Sequence, residues 1–244
     1  MDLLETSGNE HRHPWELSRG DCIFKLVMSE ITNEHRIIAD IGCGDLYFSN
    51  ILTNELDRTI FAIDTSFTDL YSDNEKIIKM NSLSRLDDGC IDIAILMDVL
   101  EHVENPTEFL SLLSSKMSGG GVMLFTVPAF QHLFSEHDVF LKHYRRYSRK
   151  SLSTELSSAG ILIDRIFYFY SALYVPRLTQ IVTARLKQKT IMAHNISAWK
   201  YDENEWITKL VRNILNLDFN FNKKFCKLLP FGLSICAICK KMKG

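Results

Sequence analysis

Apolar residues come in two rhythms along the chain. Short, nearly unbroken apolar runs occupy residues 36–41, 59–64, 76–80, 91–97 and 122–128. Their length and β-branched content predict strands buried on both faces. The segments between them carry apolar residues at helical spacing. Cys22, Ile23, Leu26, Val27 and Ile31 predict a helix from Trp15 to Ile31, with Gly20 as a point where it can break. Further helices are expected over 46–55 and, shorter, up to Ser72. Asn105, Pro106 and Glu108 supply cap, first turn and capping box for another, with Gly119, Gly120 and Gly121 at its end. Ser148 can cap a helix that runs to Ala159, with Gly160 just past it. ILIDRIFYFY reads as a sixth strand and FGLSICAICKK as the last, and two or three helical patterns lie between. Strands alternating with helices predict an α/β protein with a doubly wound, mostly parallel seven-stranded sheet and a helical insertion before the last strand. The expected organisation is one domain over 1–244, with 15–35 as an N-terminal helical cap and 171–229 as an insertion or lid.

Composition narrows the class without naming it. A hydrophobic share of 46% and a charged share of 24% are ordinary for a soluble globular chain, and a net charge of −2 does not favour nucleic acid as the partner. The opening MDLLETSGNE lacks the pattern of a signal peptide, and no apolar run is long enough to span a bilayer. The expected location is the cytoplasm. The cysteines read as free thiols. Cys236 and Cys239 form a lone CxxC without a second ligand pair, and on a strand they would point to opposite faces, so no metal is expected.

The polar residues that end the strands carry the chemistry. Gly42 and Gly44 follow the first strand at alternate positions, where bare main chain can turn sharply and lie against a ligand. The helix that follows would aim its N-terminus at that ligand. Asp64 closes strand two, where a carboxylate can accept hydrogen bonds from both ribose hydroxyls. Asn81 and Ser82 follow strand three and could read an adenine edge, and Asp98 follows strand four near the glycine turn. These ends predict a nucleoside cofactor. Asp40, two residues before Gly42, would repel a pyrophosphate but not a cationic or amino-acid-bearing ligand.

This stretch resembles motif I of class I S-adenosylmethionine-dependent methyltransferases, which have a Rossmann-like fold. The resemblance runs on through AIDTS, ILMDVLEHVENP and GGVMLFTVP and covers most of 15–165. EHDVFLKHYRRYSRKSLSTELSSAGI, the aromatic strand and the terminal LPFGLSICAICKK look like a bacterial branch of the type 11 and type 12 methyltransferase domains. That branch often serves polysaccharide, glycolipid or secondary biosynthesis. MDVLEHV is also similar to the ubiquinone-biosynthesis O-methyltransferases. The resemblance implies that Asp40, Gly42 and Gly44 approach the methionine part of S-adenosyl-L-methionine, Asp64 the ribose, Asn81 and Ser82 the adenine, and Asp98 the sulfonium side. Asn81 departs from the acidic residue common in that loop.

Methyl transfer needs alignment of donor and acceptor, and a hydroxyl acceptor also needs a base. His137 and His143, in the loop after strand five, are the favoured bases, with Asp138 able to orient an imidazole, and His102 is a third candidate. Tyr144, Arg145, Arg146 and Tyr147 would bind the acceptor, the guanidinium groups suiting a phosphate or carboxylate. The expected function is methyl transfer to a small-molecule or lipid-linked acceptor at the hydroxyl oxygen of a saccharide or secondary metabolite. Quinone, phenol or amine methylation remains an alternative, as does a cofactor-binding scaffold without catalysis. The aromatic and basic stretch 166–189, with Arg177, Arg185, Lys187 and Lys189, reads either as a membrane-proximal lid or as a packing or homodimer element.

Overall fold

A computed structural model describes residues 12–32, 34–72, 74–186, 205–226 and 228–242. Seven strands form one sheet: β1 Ile38–Ile41, β2 Ile60–Ile63, β3 Ile77–Met80, β4 Ile91–Met97, β5 Met117–Pro128, β6 Ile161–Phe169 and β7 Ser234–Lys241. Their order is β3-β2-β1-β4-β5-β7-β6. β3, β2, β1, β4 and β5 pair in parallel, and β7 enters antiparallel between β5 and β6. The helices that bear on the site are α1 Pro14–Glu30, α2 Tyr47–Glu55, α3 Pro106–Lys116, α4 Glu136–Phe140, α5 Arg149–Ser158, α6 Ser171–Leu186 and α7 Glu205–Lys224. Lys187 and Lys189 lie outside the described residues.

The period-two pleat divides the core into two layers. Ala39, Ile41, Ala94, Leu96 and Phe125 face Leu110 and Leu113 of α3 and Leu152 and Leu156 of α5. Ile38, Ile60, Ile93, Ile95 and Leu124 face Ile23 and Leu26 of α1, Phe48 and Leu52 of α2, and Leu215 and Phe219 of α7. Each Ile, Leu or Phe side chain among them contributes roughly 1.5–3 kcal/mol by leaving water. Helices on both faces make the sheet doubly wound, as expected. Cys236 packs in the second layer and Cys239 in the first, on opposite faces of β7. Among the described residues, no helix is long and apolar enough to cross a membrane.

Three local expectations are corrected. Residues 65–72 form turns and bends rather than a helix; Phe67 N bonds Asp64 O and Ser66 N bonds the Asp64 side chain, so the main chain turns tightly there. The helix before β5 ends at Lys116, and Gly119, Gly120 and Gly121 lie within β5, not at a helix end. They sit where the β4–β5 register shifts; a Cβ on Gly121 would come within 3.0 Å of Ile91 O, so only glycine lets the strands stay paired there. Gly20 does not break α1, because it faces α2 and an added Cβ there would stand 3.5 Å from Tyr47.

Strand order reverses between β1 and β4, and in open α/β sheets ligands bind beyond the carboxyl ends at such a point. The glycine turn follows β1 and Asp98 follows β4, so the topology brings them together.

Candidate active site

The turn between β1 and α2 carries the two glycines. Gly42 (φ +70°) and Gly44 (φ +56°) hold left-handed backbone. A Cβ on Gly42 would meet Val99 Cγ2 at 2.5 Å, so a side chain fits neither the dihedral nor the space. Asp64 pins the turn: its Oδ2 accepts from Gly44 N at 2.9 Å, and its Oδ1 accepts from Ser66 N at 2.9 Å and Ser66 Oγ at 2.6 Å. Asp40 is buried and accepts from Ser49 Oγ of α2 at 2.7 Å. Burial pushes its carboxyl up to about 6, against that hydrogen bond. Asn81 follows β3, half-buried, while Ser82 caps the next turn by accepting from Ser84 N at 3.2 Å.

Asp98 has φ +54°, and its Oδ1 accepts from Thr126 Oγ1 at 3.2 Å. Its other oxygen pairs with Arg19 of α1. The Arg19 guanidinium also stands 4.6 Å from the Trp15 ring centroid. Arg12, just before α1, pairs with Asp45 and lies over Tyr47. The N-terminal segment thus closes over the turns after β1 and β4 through two arginines. Sequence reasoning placed a helix here but did not single out Arg19. One arginine in an amphipathic segment reads as a solvated face until the fold turns it inward.

Next to Asp98 and Arg19 opens a cavity of about 510 Å³. α1 contributes Trp15, and the loop after β4 contributes Glu101 and His102. The segment after β5 contributes His137, His143 and Arg146, and α6 contributes Leu173, Arg177 and Gln180. All three candidate histidines therefore line one cavity. Tyr144 N donates to Glu101 O at 2.8 Å, which ties the loop after β5 to the turn after β4. The His102 and His143 rings meet edge to face, with centroids 4.6 Å apart.

Arg146 is the one member of the proposed Tyr144-to-Tyr147 set among the cavity's lining residues. Arg145 turns to Glu104 O at 2.8 Å, and its guanidinium carbon stands 5.7 Å from the exposed Tyr144 ring. Tyr147 is packed in the core, with its hydroxyl donating to Leu100 O at 3.2 Å. The extended stretch before α5 sends alternate side chains to opposite sides, so four consecutive residues cannot all face one cavity. Arg177, noted in the sequence only as one basic residue of the insertion, is brought in by α6. It donates to Ser135 Oγ at 3.0 Å and Gln180 Oε1 at 2.7 Å. Burial, and then the Arg146 charge, lower its pKa.

Asp138 organises one wall. It is fully buried and accepts from Ser135 N at 2.9 Å, Arg146 Nε at 2.6 Å and His143 Nδ1 at 3.0 Å. Burial alone would raise its pKa, but the hydrogen bonds from His143 and Arg146 and the Arg146 charge hold it well below the usual carboxylate range. His102 is lowered to about 4, by burial and then by His143, so its imidazole is neutral at neutral pH. Glu101 is the feature that sequence reasoning passed over. It has 0% exposure, and neither carboxyl oxygen has a hydrogen-bond partner among the described residues. Burial pushes it up to about 8. A glutamate beside a histidine looks like a solvated loop residue in sequence; the 3₁₀ turn Leu100–His102 puts it inside.

Comparison with known proteins gives the class. A family model described as a methyltransferase domain matches residues 22–164, more than half of the chain, and the chain belongs to that family. It is an S-adenosylmethionine-dependent methyltransferase of class I, as the motif resemblance implied. No curated protein sequence matches the chain. Among solved structures, it is similar to an S-adenosylmethionine-dependent methyltransferase from Archaeoglobus fulgidus, with 19% identity over 93% of this chain and 97% of that one and a TM-score of 0.53. It is also similar to phosphoethanolamine N-methyltransferase 2 from Haemonchus contortus in complex with S-adenosyl-L-methionine, with 12% identity, 91% and 52% coverage and a TM-score of 0.57. The (4+2)-cyclase SpnF, with 14% identity, 97% and 86% coverage and a TM-score of 0.59, has the same fold. Such identities speak for fold alone.

Proposed function

We propose that the protein methylates a hydroxyl oxygen of a small or lipid-linked acceptor that carries an anionic group. The observation that carries this reading is the cavity beside Asp98, where imidazoles and guanidinium groups converge on one enclosed space. S-adenosylmethionine, when bound, supplies an electrophilic methyl group on a sulfonium. The residues present fit it. Gly42 and Gly44 offer bare main chain, and Asp64 would accept from the ribose hydroxyls while Asn81 and Ser82 would meet the adenine. Asp98 and Arg19 offer opposite charges for the two ends of an amino acid. Trp15, Leu141, Leu173 and Leu233 give the cavity apolar walls that exclude water.

On the acceptor side, His137 or His143 takes the hydroxyl proton. Asp138 fixes the ring and tautomer of His143 through Nδ1. Arg146 and Arg177 receive the anionic group; Arg177 forms no ion pair with a carboxylate among the described residues.

A lipid-linked acceptor agrees with the outer face of α7. Trp206, Leu210, Ile214, Leu217 and Phe221 are all exposed, and their spacing of three or four residues puts them in one stripe opposite buried Leu215 and Phe219. Exposed Lys209 and Lys224 flank the stripe. The only carboxylate of the helix between them, Asp218, is engaged by Ser171 N and Ala172 N. This arrangement suits an anionic lipid surface and moves the membrane-proximal reading from 166–189 to α7.

Calorimetry tests the donor side. S-adenosylhomocysteine should bind one to one, and Asp64→Ala should weaken it by about 10- to 100-fold through loss of hydrogen bonds to a charged acceptor. A wild-type chain that binds neither form of the cofactor would sink the reading. Methyl transfer from labelled cofactor into lipid and polar lysate fractions tests the acceptor side. Label in an amine-bearing product alone would overturn the hydroxyl assignment.

A further inference from the structure

Two acidic residues line the cavity, and they differ in what holds them. Asp98 has a charged partner: one oxygen pairs with Arg19, and the other accepts from Thr126 Oγ1 at 3.2 Å. Glu101, three residues on, has 0% exposure, and neither carboxyl oxygen has a hydrogen-bond partner among the described residues. Its main chain is fixed in place. The 3₁₀ turn Leu100–His102 carries it inward, and its carbonyl accepts from Tyr144 N at 2.8 Å, so the carboxyl is held inside. Leaving a buried ionised carboxyl unmatched is costly. The open space that Glu101 borders is the cavity, so a partner for it comes from what the cavity binds.

The groups around Glu101 come from three segments. α1 brings Arg19, already paired with Asp98. The segment after β5 brings Arg146, paired with Asp138, His143, and the hydroxyl of Tyr147, which burial keeps uncharged at neutral pH. The turn itself brings His102, neutral at neutral pH. A ring nitrogen of His102 and one of His143 lie within 4.8 Å of a Glu101 carboxyl oxygen. Both guanidinium charges are thus matched by other carboxylates. Burial outweighs them at Glu101, whose carboxyl is pushed up to about 8 and stands protonated at pH 7. A cation that enters the cavity reverses this balance, because a charge a few ångströms away in a dry site favours the carboxylate. We infer that Glu101 recognises positive charge in this cavity: as a carboxylate it pairs with the sulfonium of S-adenosylmethionine, and as a carboxylic acid it accommodates the uncharged thioether of S-adenosylhomocysteine. The proton leaves Glu101 for solvent when the cationic cofactor binds, and no bond to carbon or sulfur changes in that step. Asp98, which the motif resemblance implies for the sulfonium side, keeps Arg19 as its partner. The inference rests on the reading of the turns after β1 and β4 as the cofactor site and deepens it. Glu101 makes the site prefer the charged methyl donor to the spent, uncharged product.

The test counts protons. S-adenosylmethionine and S-adenosylhomocysteine are each titrated into the full chain by calorimetry, in buffers of different ionisation enthalpy, at pH 7 and at pH values above 8. The two ligands share every titrating group, so the difference between them reports the protein's answer to the sulfonium charge. At pH 7 wild type should release about one proton more per chain with S-adenosylmethionine than with S-adenosylhomocysteine, and the excess should shrink as pH rises above about 8. Glu101→Gln keeps the shape of the neutral acid and cannot ionise. It should bind S-adenosylhomocysteine as wild type does, which shows that it folds, while the excess proton disappears. Its preference for S-adenosylmethionine over S-adenosylhomocysteine, compared with that of wild type above pH 8, should fall by about 10-fold or more. Equal proton release from two ligands that both bind wild type would overturn this inference alone, as would an excess that survives in Glu101→Gln. A wild-type chain that binds neither ligand would overturn the cofactor-site reading and this inference with it.

Discussion

Gly42 and Asp40 show how single positions set the turn after β1. Gly42 has φ +70°, and an added Cβ would stand 2.5 Å from Val99 Cγ2. Gly42→Ala should therefore cost about 1–2 kcal/mol from the dihedral alone. Because the turn must also shift away from Val99, S-adenosylhomocysteine affinity should fall by more than about 10-fold in calorimetry, since roughly 1.4 kcal/mol is a factor of ten. Asp40 makes a prediction about pH. Its carboxyl titrates near 3.8 in the unfolded chain and is raised to about 6 in the fold by burial. A raised pKa means that the native state holds the proton more tightly, so this contribution to stability is complete below pH 3.8 and is lost as pH rises through about 6. Asp40→Asn keeps an acceptor for Ser49 and removes the charge. Its stability should be flatter between these values, with a gain over wild type of about 1–3 kcal/mol at pH 7, read by urea denaturation at a series of pH values. An unchanged pH profile would refute the assignment.

α1 and α7 act as a pair. Arg212 Nε and Nη2 each donate to Asp21 at 2.6 Å, Asn216 Nδ2 donates to Asp21 at 3.0 Å, and Ser18 Oγ donates to Asn216 at 2.7 Å. These bonds seat the insertion helix on the same α1 that carries Trp15 and Arg19 to the cavity. Arg212→Ala should lower stability by about 0.5–1 kcal/mol, and Arg212→Lys should recover only part of it, because an ammonium cannot reproduce the two-pronged contact. Thermal melts of the two variants decide this. Sequence periodicity anticipated α1 within a residue at each end, because the apolar spacing is a local feature. The partnership with α7 joins positions nearly two hundred residues apart, and nothing in either segment read alone points to the other.

For the molecule as a whole, cavity and outer face lie on the same insertion. α6 supplies Arg177 to the cavity, and α7 turns a stripe of large apolar side chains outward. If that stripe meets anionic lipid, the chain should co-sediment with vesicles of mixed neutral and anionic lipid, less so as salt rises. Leu217→Asp, at a side chain that is 69% exposed, should release it with little loss of stability. Co-sedimentation that is unaffected by the substitution would show that the stripe is not the contact. A concentration-dependent mass doubling without lipid binding would mean that it joins two copies.

What could be read along the chain and what could not divide by range. Strand and helix order, the glycine turn, Asp64 and the methyl donor are properties of short segments, where pattern and backbone chemistry act within a few residues. The placement of Asp98 beside the turn follows from the observed reversal of strand order between β1 and β4. The cavity beside Asp98 was not legible in the same way. Glu101 and Arg177 look like ordinary polar residues until a 3₁₀ turn and an insertion helix turn them to the cavity, while Tyr144, Arg145 and Tyr147, adjacent to a lining residue, face solvent or core. Which side of a loop looks inward depends on contacts between segments distant in sequence. Those contacts exist only once the apolar layers have packed and fixed how each loop is held.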